Sequence, residues 1–162
     1  MEIERKFLVD PTALPFAPDN FVCEQITQAY LVVDEAGKEV RIRRKGAVYT
    51  LTVKSGSGLA RQETEVAIDA AQFHALLHAA EGLVLEKKRY LVPLKDGLVA
   101  ELDLYGGALR GLAVVEVEFL DEKAAASFSP PDWFGEEKTE DRRFKNAVLV
   151  KSGTSPEMLL AS

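Results

Sequence analysis

At 162 residues, 47% hydrophobic and 28% charged, the chain has the length and composition of one ordinary globular domain with its own core, not those of a disordered segment. A formal net charge of −6 and a pI near 5.1 exclude a general nucleic-acid binder, which needs a net basic surface, but allow a small anion in a local basic pocket. A single cysteine, Cys23, excludes an internal disulfide framework and a cysteine-rich metal site, and no apolar run is long enough for a membrane-spanning helix.

Most of the chain reads as β-strand. The first segment, 2–9 (EIERKFLV), is charged from residue 2, so no signal peptide is expected and the cytoplasm is the default location. Cys23 is expected to be a small half-buried hydrophobe. Segments rich in Val, Ile, Leu, Thr, Tyr and Phe follow at 24–33, 38–45, 48–54, 61–67, 83–94, 97–105 and 113–120. Turn signals separate several of them, with EAGK (35–38) and KDG (95–97) the strongest hairpin predictions. KSGSGLA (54–60) predicts a longer, flexible connection. It lacks the GK[ST] ending and strand–helix context of a phosphate loop.

One helix interrupts the strands. DAAQFHALLHAA (69–80) has Asp69 as N-cap and Phe73, Leu76, Leu77 and Ala80 on one face. Its His74 and His78 have the spacing of a metal pair, but no third ligand accompanies them, so they are read as surface or edge residues. Helical segments are predicted at 121–128, 139–150 and 155–162, the last with Ser155 as N-cap and Pro156 as its first residue. Between the first two, SPPDWFGEE (129–137) is expected to form a rigid loop docked by Trp133 and Phe134. No repeat or linker divides residues 1–162, which read as a single domain. Its predicted class is α+β, mainly antiparallel β: an eight-stranded closed barrel, since closure removes edges, with helices packed outside and a short C-terminal helix.

Residues i and i+2 of a strand share a face. One face of nearly every strand is charged: Glu2, Glu4 and Lys6; Arg41 and Arg43; Lys54; Arg61, Glu63 and Glu65; Lys87 and Arg89; Asp103; Glu116 and Glu118. Setting aside the strand-end residues Glu39, Lys45 and Glu101, that makes seven bases and seven acids. A solvent face would mix in Ser, Thr, Gln and Asn. If the barrel closes with this face inward, such charges must pair, bind ions or hold a charged ligand, because desolvating them alone is very costly. Carboxylates without Cys or paired His suit a hard divalent cation, and Arg and Lys suit phosphoryl oxygens. Together they point to a metal–polyphosphate complex.

EIERKF, RIRRK, LTVKS, RQETEV, EKKRY, ELDLY and VEVEF, in this order, resemble the CYTH superfamily, the triphosphate tunnel metalloenzymes. The match runs from residue 2 to about 146, and ExExK at the N-terminus is the family's signature. The chain looks most like the short bacterial inorganic triphosphatases. The resemblance implies an antiparallel tunnel open at both ends, with residues 154–162 plugging or flanking one end. It implies Mg²⁺ or Mn²⁺, two ions per site, on Glu2, Glu4, Asp103, Glu116 and Glu118. Lys6, Arg41, Arg43, Lys54, Lys87 and Arg89 would hold the triphosphate. Glu63, Glu65 and Lys87 would be catalytic, the two glutamates placing a second metal or the attacking water. Arg61, near a strand start, carries less weight, and Arg143 is implied to reach a tunnel mouth. One departure is Phe144, where the family often has Tyr.

The implied activity is divalent-metal-dependent hydrolysis of inorganic triphosphate to pyrophosphate and phosphate. Relatives on this fold act on thiamine triphosphate or nucleoside triphosphates, or cyclise ATP as class IV adenylyl cyclases, but the sequence offers no identifiable base or ribose pocket. A non-catalytic polyphosphate-binding module would not need every metal carboxylate, and all are present. A plain antiparallel sandwich with a polar face is the remaining alternative. The implied partner is inorganic triphosphate or another triphosphate-bearing small molecule, with no nucleic acid and no membrane; a homodimer is compatible with the sequence.

Overall fold

The computed structural model describes residues 1–56, 59–80, 84–152 and 155–161. Strands β1 (Glu2–Leu8), β2 (Val22–Val33), β3 (Glu39–Lys45), β4 (Val48–Ser55), β5 (Ala60–Ile68), β6 (Val84–Pro93), β7 (Val99–Tyr105) and β8 (Ala113–Glu118) close into a barrel. The order around it is β1-β5-β4-β3-β2-β6-β7-β8, and every neighbouring pair is antiparallel. All eight predicted strands are present. The middle of the 54–60 connection, the first residue of the predicted 83–94 strand, and residues 154 and 162 of the C-terminal segment lie outside the described residues. Both predicted hairpins form. At the second, Leu94 N–H donates to Leu98 O at 2.8 Å, with Asp96 and Gly97 at φ 60° and 72°, a region that Gly adopts freely and Asp tolerates.

With charge on the inner face, most of the apolar core lies outside the barrel. Ile3, Phe7, Tyr90, Leu102, Val115 and Val117 point outward and are covered by α2 (Glu122–Ser127) and the 129–137 loop. Phe134 meets Phe7 at 5.0 Å between ring centroids, and Trp133 meets Phe134 at 4.6 Å and Phe16 at 5.1 Å, so the loop is docked as predicted. Helix α1 (Ala70–Ala79) starts at a capping box between Asp69 and Gln72 and lays Phe73, Leu76 and Leu77 on Ala29, Ile42 and Leu51. Each such apolar side chain contributes about 1.5–3 kcal/mol when fully buried. His74 and His78 are exposed on this helix, as expected. Cys23 is exposed too, contrary to expectation: it sits near the start of β2, opposite Tyr90.

A further cluster occupies one end of the barrel interior. Leu85, Tyr105, Val114 and the half-buried Leu8 continue the inner face there. They pack with Phe144, with Leu149 of α3 (Asn146–Ser152) and with Leu159 of α4 (Pro156–Leu160). At this end the described residues form a packed apolar layer, to which Leu159 of the C-terminal segment contributes.

The predicted 139–150 helix is split. A 3₁₀ turn at Arg142–Phe144 precedes α3, and Lys145 between them is extended, with φ −68° and ψ 133°. The break has local causes: Asp141 accepts Arg143 N–H at 3.1 Å, and Lys6 Nζ donates to Phe144 O at 2.9 Å. Phe144 therefore serves through its carbonyl and its buried ring, not through a hydroxyl. The segment before the turn completes the barrel wall. Among the described residues β1 and β5 are in register at Glu2↔Arg61 and Ile3↔Ala60, and Glu4 N–H donates to Leu59 O at 3.3 Å just before β5. Beyond that point Leu8 N–H donates to Glu136 O at 2.9 Å and Lys138 N–H to Lys6 O at 2.8 Å. A Cβ on Gly135 would lie 2.8 Å from Leu8 O, so this close approach needs glycine.

Candidate active site in the barrel lumen

The inner face encloses a cavity of about 330 Å³. Of the fourteen charged residues selected from strand phase, all but Lys87 and Asp103 line it. So do Glu39, Lys45 and Glu101, which strand-end position had set aside, together with Tyr30 of β2, Lys138, Thr139 and Asp141 before the 3₁₀ turn, and Lys145 and Asn146 after it.

One side is acidic. Glu2, Glu4 and Glu118 each bring a carboxylate oxygen within 4.8 Å of the others. Register explains the grouping, because Glu4 lies opposite Glu118 across β1 and β8, and Glu2 precedes Glu4 on the same face. Burial, then the charges of Glu116 and Glu2, push the Glu4 carboxyl well above its usual range. Burial, then Glu2 and Glu116, raise Glu118 as well. Burial pushes Glu116 up too, but Lys6, Arg89 and Lys87 outweigh it and hold that carboxyl well below the usual range. A divalent cation would relieve the repulsion at Glu4, and an all-oxygen donor set suits a hard ion, so these residues fit Mg²⁺ or Mn²⁺. Glu63 and Glu65 stand at the mouth beside Glu2 and Glu118, and Glu65 accepts from Thr52 Oγ1 at 3.1 Å.

The bases fall into two kinds. Lys54 lies 2.9 Å from Glu2 and 3.6 Å from Glu63, Lys6 lies 3.6 Å from Glu116, and Arg61 lies 2.9 Å from Glu39. Arg41 and Arg43 pair with no carboxylate among the described residues. Arg41 Nη2 reaches Thr52 Oγ1 only at 3.5 Å, and its Nε is buried without a hydrogen-bond partner. Lys145 Nζ is likewise buried without one, and burial, then Arg61 and Arg142, lower its pKa. An unsatisfied buried donor costs about 1–3 kcal/mol, so these donors mark a place for anionic oxygen.

Lys87 and Asp103 are placed differently from expectation. Both are buried and stand behind the cavity wall rather than on it. Asp103 holds Lys87 Nζ at 2.6 Å, Arg89 Nε at 2.8 Å and Arg89 Nη2 at 2.9 Å, and Arg89 Nη1 pairs with Glu101. Asp103 stands outside the Glu2–Glu4–Glu118 group, and its oxygens are already engaged. Strand phase identifies the face but not the depth of a side chain on it. Arg143, implied to reach the mouth, is held by Asp141 at 2.6 Å, and it is Asp141 that lines the cavity. Lys145 carried no strand periodicity in the sequence, and the inward Gln28 and Tyr30 of β2 were not charged, so neither signal stood out.

A model of the CYTH domain matches residues 1–144. The chain is 48% identical over 151 residues to an inorganic triphosphatase of Nitrosomonas europaea, covering 93% of this chain and 97% of that one. It is 36% identical over 153 residues to an inorganic triphosphatase of Acetivibrio thermocellus, covering 93% and 94%. Among solved structures, that of an inorganic triphosphatase superposes with a TM-score of 0.68 at 45% identity, covering 93% of this chain and 94% of that one. A protein of Pyrococcus horikoshii shares the fold alone, with a TM-score of 0.59 at 19% identity, covering 78% and 82%. With the closed barrel, the charged lumen and these matches over most of its length, the chain belongs to the CYTH domain family.

Proposed function

We propose that the chain hydrolyses inorganic triphosphate to pyrophosphate and phosphate inside the barrel, with Mg²⁺ or Mn²⁺ as cofactor. The carrying observation is the division of one cavity into a carboxylate group at Glu2, Glu4 and Glu118 and un-neutralised donors at Arg41, Arg43 and Lys145. The two inorganic triphosphatases at 48% and 36% identity support the same substrate.

Glu2, Glu4 and Glu118, with Glu116 beside them, would hold the metal. When bound, it neutralises phosphate oxygens and lowers the pKa of water. Arg41, Arg43, Lys6, Lys54 and Lys145 bind phosphate oxygens and stabilise the charge that builds on the leaving pyrophosphate. Lys87 and Asp103 act from behind the wall by fixing Arg89, which presents its remaining N–H groups. Glu63 and Glu65, at the mouth, orient the attacking water and take its proton. No protein nucleophile is needed. Helix α4 closes the apolar end of a single domain that works in the cytoplasm. Among the described residues that line the cavity Tyr30 is the one aromatic, which leaves a nucleoside base little to stack on.

Phosphate release from tripolyphosphate, thiamine triphosphate, ATP and longer polyphosphate, each with Mg²⁺, Mn²⁺ or Ca²⁺, tests this reading, with cyclic AMP assayed alongside. Tripolyphosphate is expected to be the preferred substrate, to yield phosphate and pyrophosphate in equal amounts, and to lose all turnover in EDTA. No metal-dependent release from tripolyphosphate, or conversion of ATP to cyclic AMP as the main activity, would overturn it.

A further inference from the structure

Arg43 is held in an unusual way for a base in this cavity. Its Nε donates to Gln28 Oε1 at 3.0 Å, and Gln28 Nε2 donates to Tyr30 Oη at 2.7 Å. Register brings the residues together: across β2 and β3, Gln28 lies opposite Arg43 and Tyr30 opposite Arg41. Gln28 is fully buried, so water does not compete for these contacts. The amide's orientation follows from chemistry, since a guanidinium has no acceptor. The amide oxygen must face Arg43, and the NH₂ group is left for Tyr30.

The neutrality of this support matters. Arg89 is gripped through Nε and both terminal nitrogens by Asp103 and Glu101, which cancel its charge. Gln28 takes only Nε of Arg43 and cancels nothing. Both terminal nitrogens of Arg43 stay available, and they form the fork that matches two phosphate oxygens. Burial, then the charges of Arg41 and Arg89, lower the Arg43 pKa to about 10, so it remains a cation at neutral pH. A glutamate at position 28 would offer the same acceptor but would compete with phosphate for that charge.

We propose that Gln28, braced by Tyr30, is the positioning residue that fixes Arg43 without neutralising it, so that the full charge of Arg43 and its two terminal nitrogens meet the phosphate chain. This rests on the triphosphatase reading above.

The test measures kcat, KM and Tm with tripolyphosphate and Mg²⁺ for wild type, Gln28→Leu, Gln28→Glu and Tyr30→Phe, and for Gln28→Leu on an Arg43→Lys background. Gln28→Leu is expected to lower kcat/KM by about tenfold in the wild-type background and by less than about twofold once Arg43 is lysine, because the group it positions is then gone. Gln28→Glu is expected to melt at or above wild type, yet to lose about tenfold or more in kcat/KM; a merely structural glutamine would show the reverse. Tyr30→Phe keeps the Arg43 contact and should cost about threefold, so the inference stays testable if Gln28→Leu does not fold. An equal factor for Gln28→Leu in both backgrounds, wild-type kcat/KM in Gln28→Glu, or no loss in Tyr30→Phe overturns the inference alone. A wild type with no triphosphatase activity overturns the functional reading, and the inference with it.

Discussion

Glu4→Gln is expected to lower metal-dependent triphosphatase activity by about 10²-fold or more, by analogy with the loss of one preorganised charge-stabilising group, and at the same time to stabilise the metal-free protein. Both effects have one origin. Glu4 faces Glu118 across the strands and lies within reach of Glu2, and burial with the neighbouring carboxylates raises its pKa well above the usual value. A carboxyl that is less acidic folded than unfolded opposes folding whenever it is ionised. Its penalty is full above the raised folded-state pKa, shrinks as pH falls below that value and is gone only below the unfolded-state pKa. The stability gain of Glu4→Gln should therefore be largest at high pH and fade in acid. Metal should invert the order: Mg²⁺ that binds only the folded site raises the Tm of wild type by mass action and leaves the variant nearly unmoved. Thermal melts in EDTA and in Mg²⁺, run beside a rate assay, read all of this. A variant with near-wild-type rates in Mg²⁺ would remove Glu4 from the metal group.

Asp103→Asn is expected to cost about 3–5 kcal/mol of stability, measured by denaturant unfolding. Asp103 is the shared counter-ion of two buried cations, with Lys87 at 2.6 Å and Arg89 at 2.8 Å. An amide of the same shape cannot offer a charge to either. Glu101 still pairs with Arg89, but Lys87, fully buried, loses its one ion-pair partner among the described residues. Burial pushes the Asp103 carboxyl up, but Lys87 and Arg89 outweigh it and hold its pKa below the usual value. Its contribution is therefore present above the unfolded-state pKa and is lost as pH falls through the depressed one. A stability change below about 1 kcal/mol would mean that Asp103 does not hold this part of the wall together.

The contrast between these two acids shows where sequence reading stops. Strand phase put both on the one charged face; the eight strands were legible from composition and turn signals, closure was expected because it removes edges, and the resemblance implied that the charged face turns inward. What phase does not encode is depth and neighbourhood. Asp103 and Lys87 share the inner face with Arg89, yet only Arg89 reaches the cavity. Whether a carboxylate meets a metal or a lysine depends on stagger between strands, which appears only once register is set: Glu4 opposite Glu118, Arg89 opposite Asp103. Lys145 was hidden for another reason. It belongs to an irregular stretch between a 3₁₀ turn and α3, where neither a period of 2 nor one of 3.6 applies. Gln28 was hidden because a neutral side chain does not stand out in a search for charges, although its neutrality is what suits it to Arg43.

The most direct test of the central claim is anomalous diffraction from crystals grown with Mn²⁺ and tripolyphosphate. A manganese peak is expected among the carboxylates of Glu2, Glu4 and Glu118, with phosphate density running from it to Arg41, Arg43 and Lys145. Manganese and phosphate bound only outside the barrel, with the lumen holding water alone, would contradict it.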